Sequence, residues 1–271
     1  MEIRRCYPQG KTKACNFTYD DGVTQDRRFV ALLNRHGLKG TFNLNSQLMR
    51  TGFTWTHESG LEITRLSPEE AIAVYQGHEV ASHTLTHPYL TELSREEILR
   101  QMQEDKQALE DLFQQEVPGF ALPFTAYSDR IAQCAREAGF LYARISEESG
   151  HFCPLQDRYY WRAGVFHWSG WMEDFIHRFL QTDEELALCQ IAGHSYDLDV
   201  MDRWADMEII CEKLGSAPEV WAATQLELVR YLMAMVQAEI SESRIYNPTN
   251  VPLWFLVDGE SILLPPFHEY T

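Results

Sequence analysis

Seven times along this chain a short apolar run reads as a β-strand, and most of these runs are followed by a segment that reads as a helix. That alternation constrains the fold more than any other feature. The strand-like runs lie at 14–19, 40–44, 79–82, 119–123, 140–144, 186–192 and 220–223, and helix-like segments at 25–36, 67–77, 94–112, 128–138, 202–214 and 225–237. Ser67-Pro68-Glu69-Glu70 supplies an N-cap, a proline at the first helical position and a glutamate at the third. Ser94-Arg95-Glu96-Glu97 repeats the signal, and Ile98, Met102, Leu109 and Leu112 then share one helix side among charges. Strands alternating with helices pair in parallel, and closure into a barrel removes the two unpaired edges. The chain is therefore read as α/β, a (β/α)7-type distorted barrel, with a doubly wound open sheet as the alternative. Residues 1–240 are assigned to the barrel and 241–271 to a C-terminal β-strand tail packed on it. The tail carries short apolar runs around an Asp258-Gly259 turn signal. The stretch 150–170 is irregular and aromatic-rich, with a further strand-like run near 160–164.

Composition removes several classes of function. The 271 residues include 40 acidic and 23 basic side chains, a net charge of −17. Phosphate backbones and anionic membrane surfaces call for the opposite sign, so neither nucleic acid nor membrane is an expected partner. The apolar run 251–257 is broken by Pro252 and falls far short of the roughly 20 residues a membrane helix needs. Residues 1–6 contain no apolar core of a signal peptide, so a cytoplasmic location is expected. The six cysteines are scattered without a C-x-x-C pair and are expected to be reduced thiols. The acid surplus also suggests an acidic mouth that disfavours anionic polymers and tolerates neutral or cationic sugars.

In either fold the site lies at the carboxyl ends of the strands. After the first run stands Thr18-Tyr19-Asp20-Asp21-Gly22, whose adjacent carboxylates point to opposite sides of an extended backbone and so suit two different tasks. A helix cap and a turn aspartate is the alternative reading of the same pair. After the third run stands Ser82-His83-Thr84-Leu85-Thr86-His87-Pro88. Its two histidines meet on one face if the segment makes a helical turn, and with a carboxylate they form a three-ligand metal site with open positions. After the sixth run stands Gly193-His194-Ser195-Tyr196-Asp197, which fails as a nucleophile elbow because Asp197 replaces the closing glycine. His194 is the better candidate there, as a general acid.

Thr18–Gly22 resembles the T-F-D-D-G first motif of the polysaccharide deacetylases, the NodB-homology family or carbohydrate esterase family four. Within Ser82–His87, His83-Thr84-Leu85-Thr86-His87 resembles their second motif, H-[ST]-x-x-H. Phe120-Ala121-Leu122-Pro123-Phe124 resembles the third, R-x-P-[FY]-G, and Ala192-Gly193-His194 the fifth, L-x-H. The resemblance implies that Asp21, His83 and His87 hold a divalent metal ion, zinc first, with cobalt, manganese or iron also suited to the donor set. It implies Asp20 as general base, His194 as general acid, and the Phe124 N–H after Pro123 as an oxyanion donor. Ala121 stands where the family's third motif opens with arginine, and Thr125 replaces its glycine. The fourth motif is unplaced; Asp174 near Trp171 is a candidate for its aspartate, and Arg162 beside Trp161 for the missing cation. Trp161, Tyr127 and Trp171 are candidate sugar-stacking residues. The expected activity is metal-dependent removal of an acyl, typically acetyl, group from an N-acylated carbohydrate or a small N-acyl substrate. An allantoinase-like small-molecule amidase and a non-catalytic carbohydrate-binding relative are the alternatives, and the oligomeric state is not specified by the sequence.

Overall fold

Side-chain alternation along the first barrel strand, β1 (Lys13–Asp20), already separates a polar interior from an apolar exterior. Cys15, Phe17 and Tyr19 join the buried cluster under the helices. Asn16, Thr18 and Asp20 face the other way, into a lattice of side-chain hydrogen bonds: Asn43 Nδ2 donates to Thr18 Oγ1 (3.0 Å) and Gln190 Nε2 to Asn16 Oδ1 (2.9 Å). The computed structural model describes every residue except 126, 155 and 156.

The following strands are β2 (Gly40–Leu44), β3 (Glu79–Ser82), β4 (Gly119–Ala121), β5 (Tyr142–Glu148), β6 (Trp161–Ala163 continuing as Val165–Phe166) and β7 (Ala187–Gly193). All neighbouring pairs are parallel, in chain order, and β7 returns to β1 with Ala187 opposite Lys13. The (β/α)7 barrel is nearly closed through β6, whose first half pairs with β5 and second half with β7. Gly164 is the joint between the halves. A Cβ there would lie 2.6 Å from the Phe175 ring and 3.1 Å from the Gln190 carbonyl oxygen.

The count of seven strands thus holds with a different membership. The run near 160–164 is a full barrel strand, whereas β8 (Val220–Ala222) pairs only with the first residues of β1. Asn16 adds to this backbone pairing: its Nδ2 donates to the Ala223 carbonyl at 2.9 Å.

The outer helices are α1 (Asp26–Arg35), α2 (Pro68–Val74), α3 (Arg95–Phe113), α4 (Asp129–Glu137), α5 (Met172–Gln181), α6 (Trp204–Ser216) and α7 (Gln225–Met235). Ser67 and Glu70 form the reciprocal capping box of α2, and Ser94 caps α3 through the Glu97 N–H. Phe17, Phe29, Phe42, Phe175 and Phe179 are fully buried between strands and helices, each worth about 1.5–3 kcal/mol of transfer free energy. Ile3–Cys6 pairs antiparallel with Leu253–Val257, which pairs with Glu260–Leu264. Leu253 and Phe255 pack with Leu228 and Tyr231 of α7 beneath the barrel. Among the described residues no helix is long and apolar enough to cross a membrane. Cys6, Cys15, Cys134, Cys189 and Cys211 are buried free thiols.

Candidate active site

The site grows from the ends of β1, β3, β4, β5 and β7. Asp20 is the last residue of β1 and points inward, and the chain then breaks from extended geometry, with Asp21 at φ +87°. Asp21 is held there by its N–H to the Asn43 carbonyl (3.0 Å). The two carboxylates consequently meet different neighbours.

Asp20 is paired with Arg144, which is 1 % exposed. Arg144 Nη2 reaches both carboxylate oxygens, and Asn43 Nδ2 donates to Oδ1 at 2.7 Å. Burial pushes the Asp20 carboxyl up, but the Arg144 charge, with His83 and His194, outweighs it and holds the group below its ordinary range. Arg144 lies opposite Ala121 in the β4–β5 register. The cation that the third motif lacks at Ala121 is therefore supplied one strand over. Arg162 is not that cation: its Nε pairs with Glu147 on the surface at 2.9 Å.

Asp21, His83 and His87 each present one ligand atom, all within 4.8 Å of one another. The histidines meet without the expected helical turn. Residues 83–88 are an irregular loop in which Thr84 (φ +71°) and His87 (φ +56°) take left-handed backbone, and the Thr84 hydroxyl accepts from the His87 N–H. His83 Nδ1 bonds the Ala121 carbonyl oxygen at 2.8 Å, which fixes the ring and leaves Nε2 toward the cluster. Asp21 Oδ1 is fully buried and accepts no hydrogen bond, although Arg65 Nη1 lies 2.9 Å away. A buried, unsatisfied carboxylate oxygen beside two neutral imidazoles is the donor set a divalent cation satisfies. The imidazoles are neutral because burial depresses both, His83 to about 4. For Asp21 burial acts upward, but Arg65, His194 and His87 hold the carboxyl well below the usual range.

His194 follows β7. Its Nδ1 is 3.0 Å from Asp197 Oδ2 and its Nε2 is 3.9 Å from Asp21 Oδ2. Burial favours the neutral ring, but Asp197, Asp21 and Asp20 together raise the imidazolium pKa to about 9. Trp168 and Tyr196 both stack near-parallel to the ring, at 5.6 and 4.9 Å between centroids. Asp197 is also 3.5 Å from Nε2 of buried His167, whose Nδ1 bonds the Tyr19 hydroxyl at 2.7 Å. Gly193 makes room for that imidazole, since a Cβ would come within 2.4 Å of His167 Nδ1.

These groups line a cavity of about 450 Å³, walled further by Phe124, Phe166, Trp168 and Tyr196. Pro123 is buried behind it, and Phe124, at φ +58°, stacks on Tyr89 with rings 3.8 Å apart. The Phe124 N–H donates to none of the described residues. The proposed stacking residues fare differently. Trp161 is 2 % exposed and spends its indole N–H on Gln190 inside the barrel. Trp171 packs edge-on against Phe175 and Tyr127 against Tyr160, and none of the three lines the cavity. Asp174 is on the surface, paired with Arg178 one helical turn on, so Asp197 and not Asp174 is the carboxylate that holds His194.

Sequence reasoning missed Arg144, Asp197, Arg65 and His167. Asp197 was detectable, being three residues after His194 in a turn where such spacing meets. Arg144 ends the fifth apolar run, but its pairing with Asp20 depends on a β4–β5 register that no local pattern encodes.

Comparison with known proteins agrees with the barrel fold. A search of curated proteins finds no match. A Mycobacterium smegmatis chain assigned to the polysaccharide deacetylases is 15 % identical, with 86 % of this chain and 94 % of that one covered and a TM-score of 0.62. A family 4 carbohydrate esterase from Streptomyces lividans in complex with acetate is 14 % identical, covering 79 % and 93 % at TM-score 0.52. A family 4 pseudoenzyme from Bacillus anthracis is 18 % identical, covering 83 % and 68 % at TM-score 0.50. Such identities speak for the fold. The family model described as polysaccharide deacetylase matches residues 8–143, which is half of the sequence. With its motifs at the strand ends of a nearly closed (β/α)7 barrel, the chain belongs to the polysaccharide deacetylase family.

Proposed function

We propose that this protein is a metal-dependent hydrolase that removes an acyl group, acetyl first, from the nitrogen of an N-acylated sugar. One observation carries the reading: a carboxylate held by arginine and an imidazolium held by aspartate both border the Asp21–His83–His87 cluster in one cavity. Asp21, His83 and His87 would hold a divalent ion, zinc first, which would supply a water of lowered pKa and Lewis acidity toward the acyl carbonyl.

Asp20, kept ionised by Arg144, takes the proton of the attacking water. The Phe124 N–H donates to the oxygen on which negative charge develops. His194, charged at neutral pH, gives its proton to the departing nitrogen as the C–N bond breaks, because an amine leaves only when protonated. The products are a carboxylic acid and a free amine. Asp197 keeps His194 in the orientation that exposes Nε2. A cytoplasmic site of action belongs to the same proposal.

The test is release of acetate from N-acetylated chito-oligosaccharides by protein reconstituted in turn with zinc, cobalt, manganese and iron. Stoichiometric acetate and amine support the reading. Opening of a small cyclic amide with no acetate from any glycan would favour the allantoinase-like alternative. Failure to take up any ion would leave a carbohydrate-binding relative.

A further inference from the structure

His167 is buried beside the site, and the mechanism gives it no role. It follows the last residue of β6, where its N–H donates to the Ala192 carbonyl of β7 at 2.9 Å. Its two ring nitrogens meet different groups. Nδ1 is 2.7 Å from the hydroxyl of buried Tyr19, which has no other hydrogen-bond partner among the described residues. Nε2 is fully buried without a hydrogen-bond partner, and the nearest charge to it is Asp197 Oδ2 at 3.5 Å. That same oxygen accepts from His194 Nδ1 at 3.0 Å.

Only one tautomer satisfies these groups. Burial lowers the His167 pKa, so the ring is neutral, with one donor and one acceptor. A buried phenol must give its proton to something, and Nδ1 is the acceptor in reach. The Tyr19 hydroxyl therefore donates to Nδ1, and the ring proton sits on Nε2, facing Asp197. The opposite tautomer would leave the phenol proton unmatched and set a bare Nε2 lone pair against a carboxylate oxygen. Asp197 gains from such a donor. It lies in the short helical turn Ser195–Val200, three residues after the imidazole it orients. His194 and Asp197 belong to one loop and can turn together. His167 belongs to the barrel wall, so an Nε2–H on Oδ2 ties the pair to a fixed frame.

We infer that His167 is a positioning residue for the general acid: its Nε2–H holds the Asp197 carboxylate, and through it keeps His194 Nε2 aimed at the departing nitrogen. This rests on the proposed hydrolase reading and adds to it a residue that touches neither substrate nor ion, together with its anchor, Tyr19. Its influence is confined to the step in which nitrogen is protonated. An ester whose alcohol leaves as a stabilised anion, such as para-nitrophenyl acetate, needs no such proton. Loss of His167 is therefore felt by the amide and not by the ester.

Steady-state hydrolysis of an N-acetylated chito-oligosaccharide and of para-nitrophenyl acetate by the ion-loaded protein reads that difference. His167→Leu is expected to lower kcat for the amide about tenfold or more with KM unchanged, and kcat for the ester about twofold at most. His167→Gln, whose side-chain N–H stands near the place of Nε2, is expected to recover most of the amide rate. In an Asp197→Asn background His167→Leu is expected to add no further loss, because both act through one contact. An equal loss on the two substrates, or losses that multiply in the double variant, would overturn the inference. Nitrogen NMR spectra of isotopically labelled histidine test the contact without turnover. His167 is expected to carry its proton on Nε2, with a resonance that shifts in Asp197→Asn. A proton on Nδ1, or an Nε2–H indifferent to Asp197→Asn, would overturn the inference whether or not acetate is released. The expected spectra from a parent protein that releases no acetate would uphold the contact and overturn the hydrolase reading instead.

Discussion

Among the described residues Arg144 is the only cation hydrogen-bonded to Asp20, and replacing it has a definite expected direction. Breaking a buried ion pair from one side typically costs 3–5 kcal/mol, because the remaining charge stays desolvated. Without the Arg144 charge, the desolvation that Arg144 outweighs moves the Asp20 carboxyl upward. The acid limb of kcat/KM in Arg144→Leu is expected to move to higher pH, with kcat/KM on that limb falling about tenfold for each pH unit of the move. The structure also specifies the rescue. Ala121 is buried and in register with Arg144 on the adjacent parallel strand, so both side chains enter the barrel from the same face. The double variant Ala121→Arg/Arg144→Ala puts a guanidinium back beside Asp20 and is expected to return the acid limb toward its original position. Steady-state acetate release between pH 4 and 9 reads both effects. An unshifted acid limb in Arg144→Leu with a folded protein would refute the role given to this ion pair.

Asp197→Asn removes the largest favourable contribution to the His194 imidazolium, whose pKa of about 9 otherwise keeps it charged; the alkaline limb of the rate profile should shift to lower pH. Asp26 is buried with a carboxyl raised to about 7 by desolvation, despite hydrogen bonds from Ser195 and Tyr75. Its folded pKa exceeds the unfolded one, so its stabilisation is complete below about pH 4 and is lost as pH rises through 7. Thermal denaturation of Asp26→Asn should therefore lose less stability between pH 5 and 8 than the parent does. His83→Ala and His87→Ala should each abolish stoichiometric ion uptake, measured by elemental analysis, while leaving the far-ultraviolet spectrum of the barrel in place.

The parts of this account that were legible in the sequence are those encoded within a single element. Ser67 and Glu70 mark a helix start because their side chains reach backbone groups three residues away. The Asp20-Asp21 pair and the two histidines are visible because each motif sits at the end of one strand. What was not legible depends on contacts between strands. Arg144 reaches Asp20 across the barrel interior, and Trp161 proves to be core because its strand closes the barrel and turns the indole onto Gln190. The left-handed backbone at Thr84 and His87 is equally hidden, since neither residue type announces positive φ.

The central claim is that Asp20 does the chemistry while Asp21, His83 and His87 hold the ion. Acetate release and bound divalent ion, measured on the same preparations of the parent protein and of Asp20→Asn, test it most directly. The account predicts one ion per chain in both, with acetate from N-acetylated sugar only in the parent. Comparable acetate release by Asp20→Asn, or loss of the ion with that substitution, would contradict it.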